Sequence, residues 1–241
     1  MIARCSANFI SQECGKNFSI STYSTLPDSI NRAFFGLIAK TSLYGFATAS
    51  YASGTDAIYG VTRCRGDITL EACSACILEA ADNIRTSCPV SAEARIWYEQ
   101  CFIHYDSNNN FLGQPDTSQV KYYHTTKEST DPTDFNQTLW NVLGGVKSAA
   151  ATADNRFGRG ESKLSNSNMT IYGMAQCTRD LQESACYTCL NVLFEFMTSG
   201  KCKGVIGCYA MSISCVLRYE DNPFLEDASP PSSNAYAPAS P

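Results

Sequence analysis

Thirteen cysteines in this chain of 241 residues follow a pattern that occurs twice. Segments 58–76 and 171–189 share an Ile-Tyr-Gly start, three cysteines, an aspartate and an alanine at a constant offset of 113 residues. The shared spacing is Cys-x8-Cys-x2-Cys, formed by Cys64, Cys73 and Cys76 in copy one and by Cys177, Cys186 and Cys189 in copy two. Cys88 and Cys101 also recur, as Cys202 and Cys215. A repeat this long predicts a duplicated domain rather than a solenoid unit.

So many cysteines favour an oxidising compartment, where thiols become crosslinks. We therefore predict a secreted, extracellular protein. Three Asn-x-Ser/Thr triplets agree with this location and give Asn17, Asn136 and Asn168 as candidate glycosylation sites. The first residues lack the apolar run of a secretory leader, so we expect the leader to have been removed or to be missing from this sequence.

Charge and motifs exclude several classes of function. The chain has 18 Lys and Arg against 23 Asp and Glu, and no basic cluster that would bind nucleic acid. No apolar stretch reaches the roughly 18 residues of a membrane span. Hydrolase, phosphate-binding and kinase motifs are missing, and two histidines leave little for acid–base catalysis. We predict a protein that is not an enzyme and needs no cofactor.

Both copies show the same order of predicted helices and strands. Copy two starts with an amphipathic helix after Asp131, a cap followed by proline. A second helix carries the Cys-x2-Cys pair, and Asp180 with Glu183 resembles a capping box at its start. Alternating residues from Met211 to Tyr219 predict one half-buried strand. The pattern predicts an α+β fold with two tandem, disulfide-stapled domains, each an antiparallel sheet of about five strands with two helices on one face.

Composition suggests where the domains end. We place the first domain at 1–111, a Gly-, Pro- and Ser-containing linker at 112–118, and the second domain at 119–225. Residues 226–241 are rich in proline, serine and alanine and hold too few large apolar residues to fold, so we predict a disordered tail.

The two Cys-x2-Cys pairs have alternative interpretations. A dithiol at a helix start is typical of redox sites, and paired cysteines also bind zinc. The other cysteines at repeated positions favour crosslinks instead. His104 and His124 belong to no ligand-like cluster, so we predict no metal site, and we expect His104 to be a surface or partly buried strand residue.

The motif Cys-x8-Cys-x2-Cys with a Cys-x3-Tyr-acidic ending resembles the plant ginkbilobin-2-homologous domain, also called the salt-stress-response/antifungal domain. The resemblance covers both halves of the chain and implies a role in stress or defence outside the cell, in the apoplast. It also implies five disulfides, namely Cys14–Cys88, Cys64–Cys73, Cys76–Cys101, Cys177–Cys186 and Cys189–Cys215. Copy two lacks an N-terminal cysteine but has Cys208, from which we infer a sixth bridge, Cys202–Cys208. Cys5 is left over, and it is free, capped or paired with another chain in a homodimer.

Some members of this family are lectins that hold mannose with an Asn after the N-terminal Cys, an Arg six residues before the last Cys and an acidic residue after the closing Tyr. Copy one places Gly15, Arg95 and Asp106 at these positions, so the resemblance implies a partial carbohydrate site there. Copy two has Tyr209 in place of the Arg, and has largely lost the site. An alternative for Arg95 and Asp106 is a surface ion pair across neighbouring strands.

The competing function is a protein-interaction module. In this family tandem copies also form the outer part of cysteine-rich receptor-like kinases and of plasmodesmata-located proteins, besides cysteine-rich repeat secretory proteins. A hypothetical aromatic surface between the copies would consist of Trp97, Tyr98, Tyr122, Tyr123 and Trp140. The expected partner is therefore a mannose-type glycan or an extracellular protein.

Overall fold

The computed structural model describes residues 8–15, 26–53, 56–107 and 110–226, which divide into two compact units. Unit 1 runs up to Leu112 and also includes Glu226, whose backbone N–H donates to Asp67 Oδ2 at 2.7 Å. Unit 2 runs from Gly113 to Leu225. Cys5, Asn17 and the predicted tail from residue 227 onward lie outside the described residues.

The described part of unit 1 folds into one antiparallel sheet and two helices. Its elements are β1 (Phe9–Cys14), α1 (Leu26–Tyr44), β2 (Phe46–Ser53), β3 (Asp56–Cys64), α2 (Leu70–Ser87), β4 (Glu93–Tyr98) and β5 (Cys101–Asp106). The strand order across the sheet is β1-β4-β5-β3-β2.

Unit 2 repeats this arrangement. Its elements are β6 (Lys121–His124), α3 (Pro132–Thr152), β7 (Phe157–Lys163), β8 (Thr170–Cys177), α4 (Glu183–Ser199), β9 (Cys208–Met211) and β10 (Cys215–Glu220). The strand order is β6-β9-β10-β8-β7, which matches unit 1 strand for strand. The predicted α+β fold with two tandem five-stranded domains is confirmed.

Apolar stripes hold the helices against one face of each sheet. The first helix of each unit packs tightly on a glycine of the neighbouring strand, Leu37 on Gly60 and Val142 on Gly173. A Cβ at these glycines would lie 2.7 Å from Leu37 Cδ1 and 2.6 Å from Val142 Cγ1, so a larger residue would force these two side chains to shift. The equivalence sets an offset of 105 residues between α1 and α3, while the cysteines set one of 113 between α2 and α4.

Helix starts agree only partly with the predicted caps. Asp131 caps α3 by accepting from the backbone N–H of Asp134, as predicted. The capping box predicted at Asp180 is wrong, because α4 is capped by Gln182 without a side-chain hydrogen bond. The Asp180 carboxylate instead accepts from the backbone N–H of Gly113 at 2.7 Å.

The predicted single strand from Met211 to Tyr219 is also wrong, because a turn divides it into β9 and β10. The Ser212 hydroxyl accepts from the backbone N–H groups of Ser214 and Cys215, both at 3.2 Å, which turns the chain. The turn is held by the segment predicted as a linker, where the backbone N–H of Asp116 donates to Ser214 Oγ at 3.0 Å. Alternation continued through the turn by chance, so the pattern suggested one strand.

The described residues contain six disulfides, and their pairs are the five that the family resemblance implies and the inferred bridge Cys202–Cys208. Two bridges of each unit join its second helix to the adjacent strands. The third differs between units: Cys14–Cys88 ties the edge strand β1 to the end of α2, whereas Cys202–Cys208 closes a short loop before β9. The edge strand β6 of unit 2 consequently has no covalent tie to the rest of its sheet.

Candidate functional site

Gly15, Arg95 and Asp106 meet at one end of the unit 1 sheet, on the face opposite the helices. Strand β4 lies between β1 and β5 and brings them together. Arg95 is opposite Glu13 of β1, and Glu93 is opposite Asp106 of β5. The backbone N–H of Gly15 donates to the Glu93 carbonyl oxygen at 2.7 Å, which places this glycine directly beside Glu93.

Glu93 fills the space where a side chain at position 15 would stand. A Cβ on Gly15 would lie 2.8 Å from both Glu93 Cβ and Glu93 Oε2, and 3.0 Å from the Glu93 carbonyl oxygen. These separations are below ordinary van der Waals contact. The position that carries an amide in the family's lectins is therefore occupied in this chain by a neighbouring carboxylate side chain.

Arg95 is already engaged by carboxylates of its own sheet. Its Nε lies 2.5 Å from Glu13 Oε2, and its Nη1 lies 4.0 Å from Glu93 Oε1. The guanidinium also lies over the Trp97 ring, 5.7 Å from its centroid. With 15% of the side chain exposed, Arg95 offers a ligand little free surface.

Carboxylates outnumber the cation in this cluster of Glu13, Glu93, Arg95 and Asp106. Burial raises the pKa of Glu93 above its usual value, Arg95 lowers it, and the negative charges of Asp106 and Glu13 raise it further. Arg95 is the cationic hydrogen-bond donor of this cluster, and Glu13 already accepts a hydrogen bond from it. The donor that a sugar hydroxyl would need is therefore engaged within the protein.

His104 lies next to this cluster, opposite Arg95 in register, and is 1% exposed. The expectation of a surface or partly buried residue is therefore wrong. Its ring packs between Phe102 and Phe111, and its Nδ1 lies 3.3 Å from the Ala94 carbonyl oxygen. Burial, reinforced by the positive charge of Arg95, lowers the pKa of His104 to about 3, so the ring is neutral near neutral pH.

Unit 2 has a similar arrangement at the equivalent position, but with different residues. The backbone N–H of Thr125 donates to the Gly207 carbonyl oxygen at 3.0 Å, as Gly15 does to Glu93. Here the glycine is on the other of the two paired segments, and the Glu220 carboxylate fills the space where a Cβ of Gly207 would stand. Tyr209 stands where unit 1 has Arg95, as the repeat predicted.

Arg218 is the residue of this second cluster that sequence reasoning missed. Its Nε donates to Glu220 Oε1 at 2.9 Å, and its guanidinium lies over the rings of Tyr209 and Phe224, 5.3 and 4.4 Å from their centroids. The guanidinium has thus moved to the neighbouring strand, to the position of His104 in unit 1. Arg218 precedes Glu220 by two residues, so both side chains lie on the same face of one strand, and this spacing is the signal that could have identified Arg218.

The remaining candidates are the Cys-x2-Cys pairs, possible metal ligands, the aromatic residues and the sequon asparagines. The cysteines of both Cys-x2-Cys pairs form disulfides with other partners, not with each other. Within the described ranges, no group of three or more His, Cys, Asp or Glu residues is arranged to hold a metal ion. Trp97 and Tyr98 are buried, whereas Tyr123 and Trp140 are exposed, as are the sequon residues Asn136 and Asn168.

No helix in the described ranges combines the length and apolar character that spanning a bilayer requires.

Comparison with known proteins identifies the family. Residues 4–108 and 121–222 match the salt stress response/antifungal domain. Cysteine-rich repeat secretory protein 55 of Arabidopsis thaliana is 36% identical over 231 residues, covering 93% of this chain and 86% of that protein. An antimicrobial ginkbilobin-2-like protein of Castanea crenata is 30% identical and covers 88% of this chain and 87% of its own length.

Receptor proteins match as well. Cysteine-rich receptor-like protein kinase 25 of Arabidopsis thaliana is 31% identical across 83% of this chain, which spans 30% of the kinase. The tandem DUF26 ectodomain of the receptor-like protein PDLP5 has 27% identity and a TM-score of 0.74 over 89% of this chain and all of that one. The ectodomain of PDLP8, at 24% identity, shares the fold with a TM-score of 0.78 over 90% of this chain and all of that one.

Secreted repeat proteins and receptor ectodomains both place such domains outside the cell, and six disulfides agree with that location. The sequence resemblance is thereby confirmed over both copies. The chain belongs to the salt stress response/antifungal (DUF26) family and carries two of its domains in tandem.

Proposed function

We propose that this chain is an extracellular, non-catalytic recognition protein whose ligand is a protein partner rather than a mannose-type glycan. The observation that carries the proposal is a pair of exposed apolar side chains on the helices of unit 1. Phe35 of α1 is 79% exposed and Leu78 of α2 is 50% exposed. Large apolar side chains in water mark interaction sites when they lie together.

Helix register supports their proximity. The Ser74 hydroxyl donates to Ser42 Oγ at 3.0 Å, and Arg85 lies over Phe34, 6.0 Å from its centroid, so α1 and α2 run antiparallel. Leu78 is one turn beyond Ser74, and Phe35 is two turns before Ser42. Both side chains are therefore on the same side of this contact, along the groove between the helices.

The first experiment tests mannose. The wild-type chain should give no binding heat with mannose in isothermal titration calorimetry, because Glu93 fills the place of the missing amide and Glu13 holds Arg95. The Arg95→Ala variant should give the same result. Mannose binding by the wild type that disappears in Arg95→Ala would contradict this proposal and restore the lectin hypothesis.

The second experiment tests the protein partner. Phe35→Ser with Leu78→Ser should reduce recovery of crosslinked extracellular partners by about tenfold or more, since aromatic and apolar anchors dominate interface energies. Lys40→Ser, an exposed position on the same helix, is the matched control and should leave recovery unchanged. Equal recovery with the double variant and the wild type would refute the α1–α2 surface as the docking site.

A further inference from the structure

The groove between α3 and α4 carries an unusual exposed aromatic surface. The ring of Trp140 packs edge-to-face on Phe194, with 4.6 Å between centroids, yet Trp140 remains 55% exposed. Two turns further along α3, the Lys147 ammonium lies 4.5 Å from the ring centroids of both Phe194 and Tyr187. Tyr187 is itself 45% exposed. Two open rings therefore lie about 10 Å apart along the groove.

Polar groups line the groove between these rings. Lys147 is buried and donates to Asn191 Oδ1 at 2.8 Å, and Asn191 Nδ2 donates to Glu195 Oε1 at 2.8 Å. Cation–ring contacts of this kind are attractive and hold the rings in place. The surface thus presents fixed ring faces separated by an amide and a carboxylate. We call it the aromatic surface, formed by Trp140, Lys147, Tyr187, Asn191 and Glu195.

Unit 1 shows that the fold does not need the aromatic surface. By the offsets of 105 and 113 residues, Lys147 and Tyr187 correspond to Ser42 and Ser74, which close the equivalent groove with one hydrogen bond. Asn191 corresponds to Leu78, and Phe194 to Ala81. Trp140 corresponds to Phe35, which is also an exposed ring, so the additions in unit 2 are Lys147, Tyr187 and Asn191. These three residues place a second open ring and a polar row beside the shared aromatic position, and they call for a ligand of their own.

The sequence places a sugar attachment site beside it. Asn136 begins the sequon Asn136-Gln137-Thr138 and is exposed, one turn before Trp140 on α3. Positions 136, 140 and 147 differ by four and seven residues, so they share one stripe of the helix. Unit 1 has Asn31 and Phe35 at the corresponding places but Ala33 in place of Thr138, so it lacks the sequon.

We propose that an N-linked glycan on Asn136 folds back along α3 and packs its first pyranose rings on the aromatic surface. The C–H face of a pyranose is apolar and weakly positive, and it suits the negative face of an aromatic ring. About 6 Å of helix separate Asn136 from Trp140, and about 10 Å more lead to the level of Tyr187. A short run of linked pyranose rings covers this length.

Because the glycan would be covalently attached to Asn136, weak stacking on the aromatic surface is sufficient to keep it bound there. A tethered ligand meets its site at an effective concentration in the millimolar range, so each ring contact acts without the cost of bringing two molecules together. Asn191 and Glu195 supply acceptors and a donor for sugar hydroxyl and acetamido groups. The groove of unit 2 is then covered by sugar, while its counterpart in unit 1, with Phe35 and Leu78, stays open.

The test uses the full chain from a glycosylating eukaryotic host, with Trp97→Phe so that Trp140 is the sole tryptophan. Mass spectrometry should find hexosamine on Asn136. Acrylamide quenching of Trp140 should be about twofold weaker than in the Asn136→Gln variant, because stacking covers the open ring face. Asn168→Gln removes the other described sequon of unit 2 and is the matched control, with quenching unchanged.

Stability provides a second readout. The glycan on Asn136 should lower the equilibrium constant for unfolding of unit 2 by about two- to tenfold, and Trp140→Leu should abolish that difference. Three results would overturn the proposal: an unmodified Asn136, equal quenching with and without its glycan, or a stabilisation that persists in Trp140→Leu. A stacked free glycan or protein would instead leave Trp140 protected in Asn136→Gln, which also counts against the tethered sugar.

Discussion

Paired replacement of Cys14 and Cys88 by alanine should lower the free energy of unfolding of unit 1 by about 4 kcal/mol. This bridge spans 74 residues, and a crosslink that closes a long loop restricts the unfolded chain most. The bridge that takes its place in unit 2, Cys202–Cys208, spans 6 residues. Its paired replacement by alanine should lower the free energy of unfolding of unit 2 by about 2 kcal/mol. The duplication thus supplies its own matched control.

Each unit contains one tryptophan, so the two effects are measured separately in the full chain. Trp97 reports on unit 1 in a Trp140→Phe background, and Trp140 reports on unit 2 in a Trp97→Phe background. Denaturant titrations followed by fluorescence give both free energies. Equal losses from the two paired replacements would show that loop length does not govern these bridges.

Acidification should destabilise unit 1 through His104. The pKa of His104 is lowered in the folded state, mainly by burial and further by Arg95, so its contribution to stability is present above the unfolded value of 6.5 and is lost as pH falls toward the folded value of about 3. Between pH 6.5 and 4.5 this one group should reduce the free energy of unfolding by about 2 kcal/mol. Phenylalanine does not titrate, so the His104→Phe variant should lack this contribution. Over the same pH range its free energy of unfolding should fall by about 2 kcal/mol less than that of the wild type.

Glu93 acts in the opposite direction. Its pKa is raised in the folded state, so the stability that it contributes is present below 4.5 and is lost as pH rises through the folded value. Because Glu93 is present in both proteins, the difference between wild type and His104→Phe isolates the histidine. The measurement is a series of denaturant titrations from pH 7 to pH 4, and parallel curves for the two proteins would contradict the buried, neutral His104.

Local chemistry explains which parts of the fold could be predicted. The cysteine spacing and the apolar stripes of the helices depend on nearby residues, so they predicted the two domains, the helix faces and the cap at Asp131. The turn at Ser212 depends on hydrogen bonds with Asp116, almost one hundred residues away, and no local pattern contains it. Asp180 likewise bonds Gly113 rather than its own helix.

The candidate site shows the same limit. The family resemblance named Gly15, Arg95 and Asp106 as one set, and the structure brings these three positions together at one end of the sheet. The resemblance could not show that Glu93 stands over Gly15, since that contact depends on the pairing of β1 with β4. The burial of His104 was missed because an imidazole without an acidic or metal partner is usually assigned to the surface.

Unequal stapling also determines how the two units respond to a pulling force. In unit 1, the bridges Cys14–Cys88 and Cys76–Cys101 connect the two ends of most of the span from residue 14 to residue 101. A pulling force is therefore carried by the disulfides, and most of that span cannot be extended. In unit 2 the 64 residues from Gly113 to Gln176 precede the first cysteine of the unit. Once β6, α3 and β7 detach, they extend by about 200 Å. The second domain is thus the extensible element of the chain, and the first is the inextensible one.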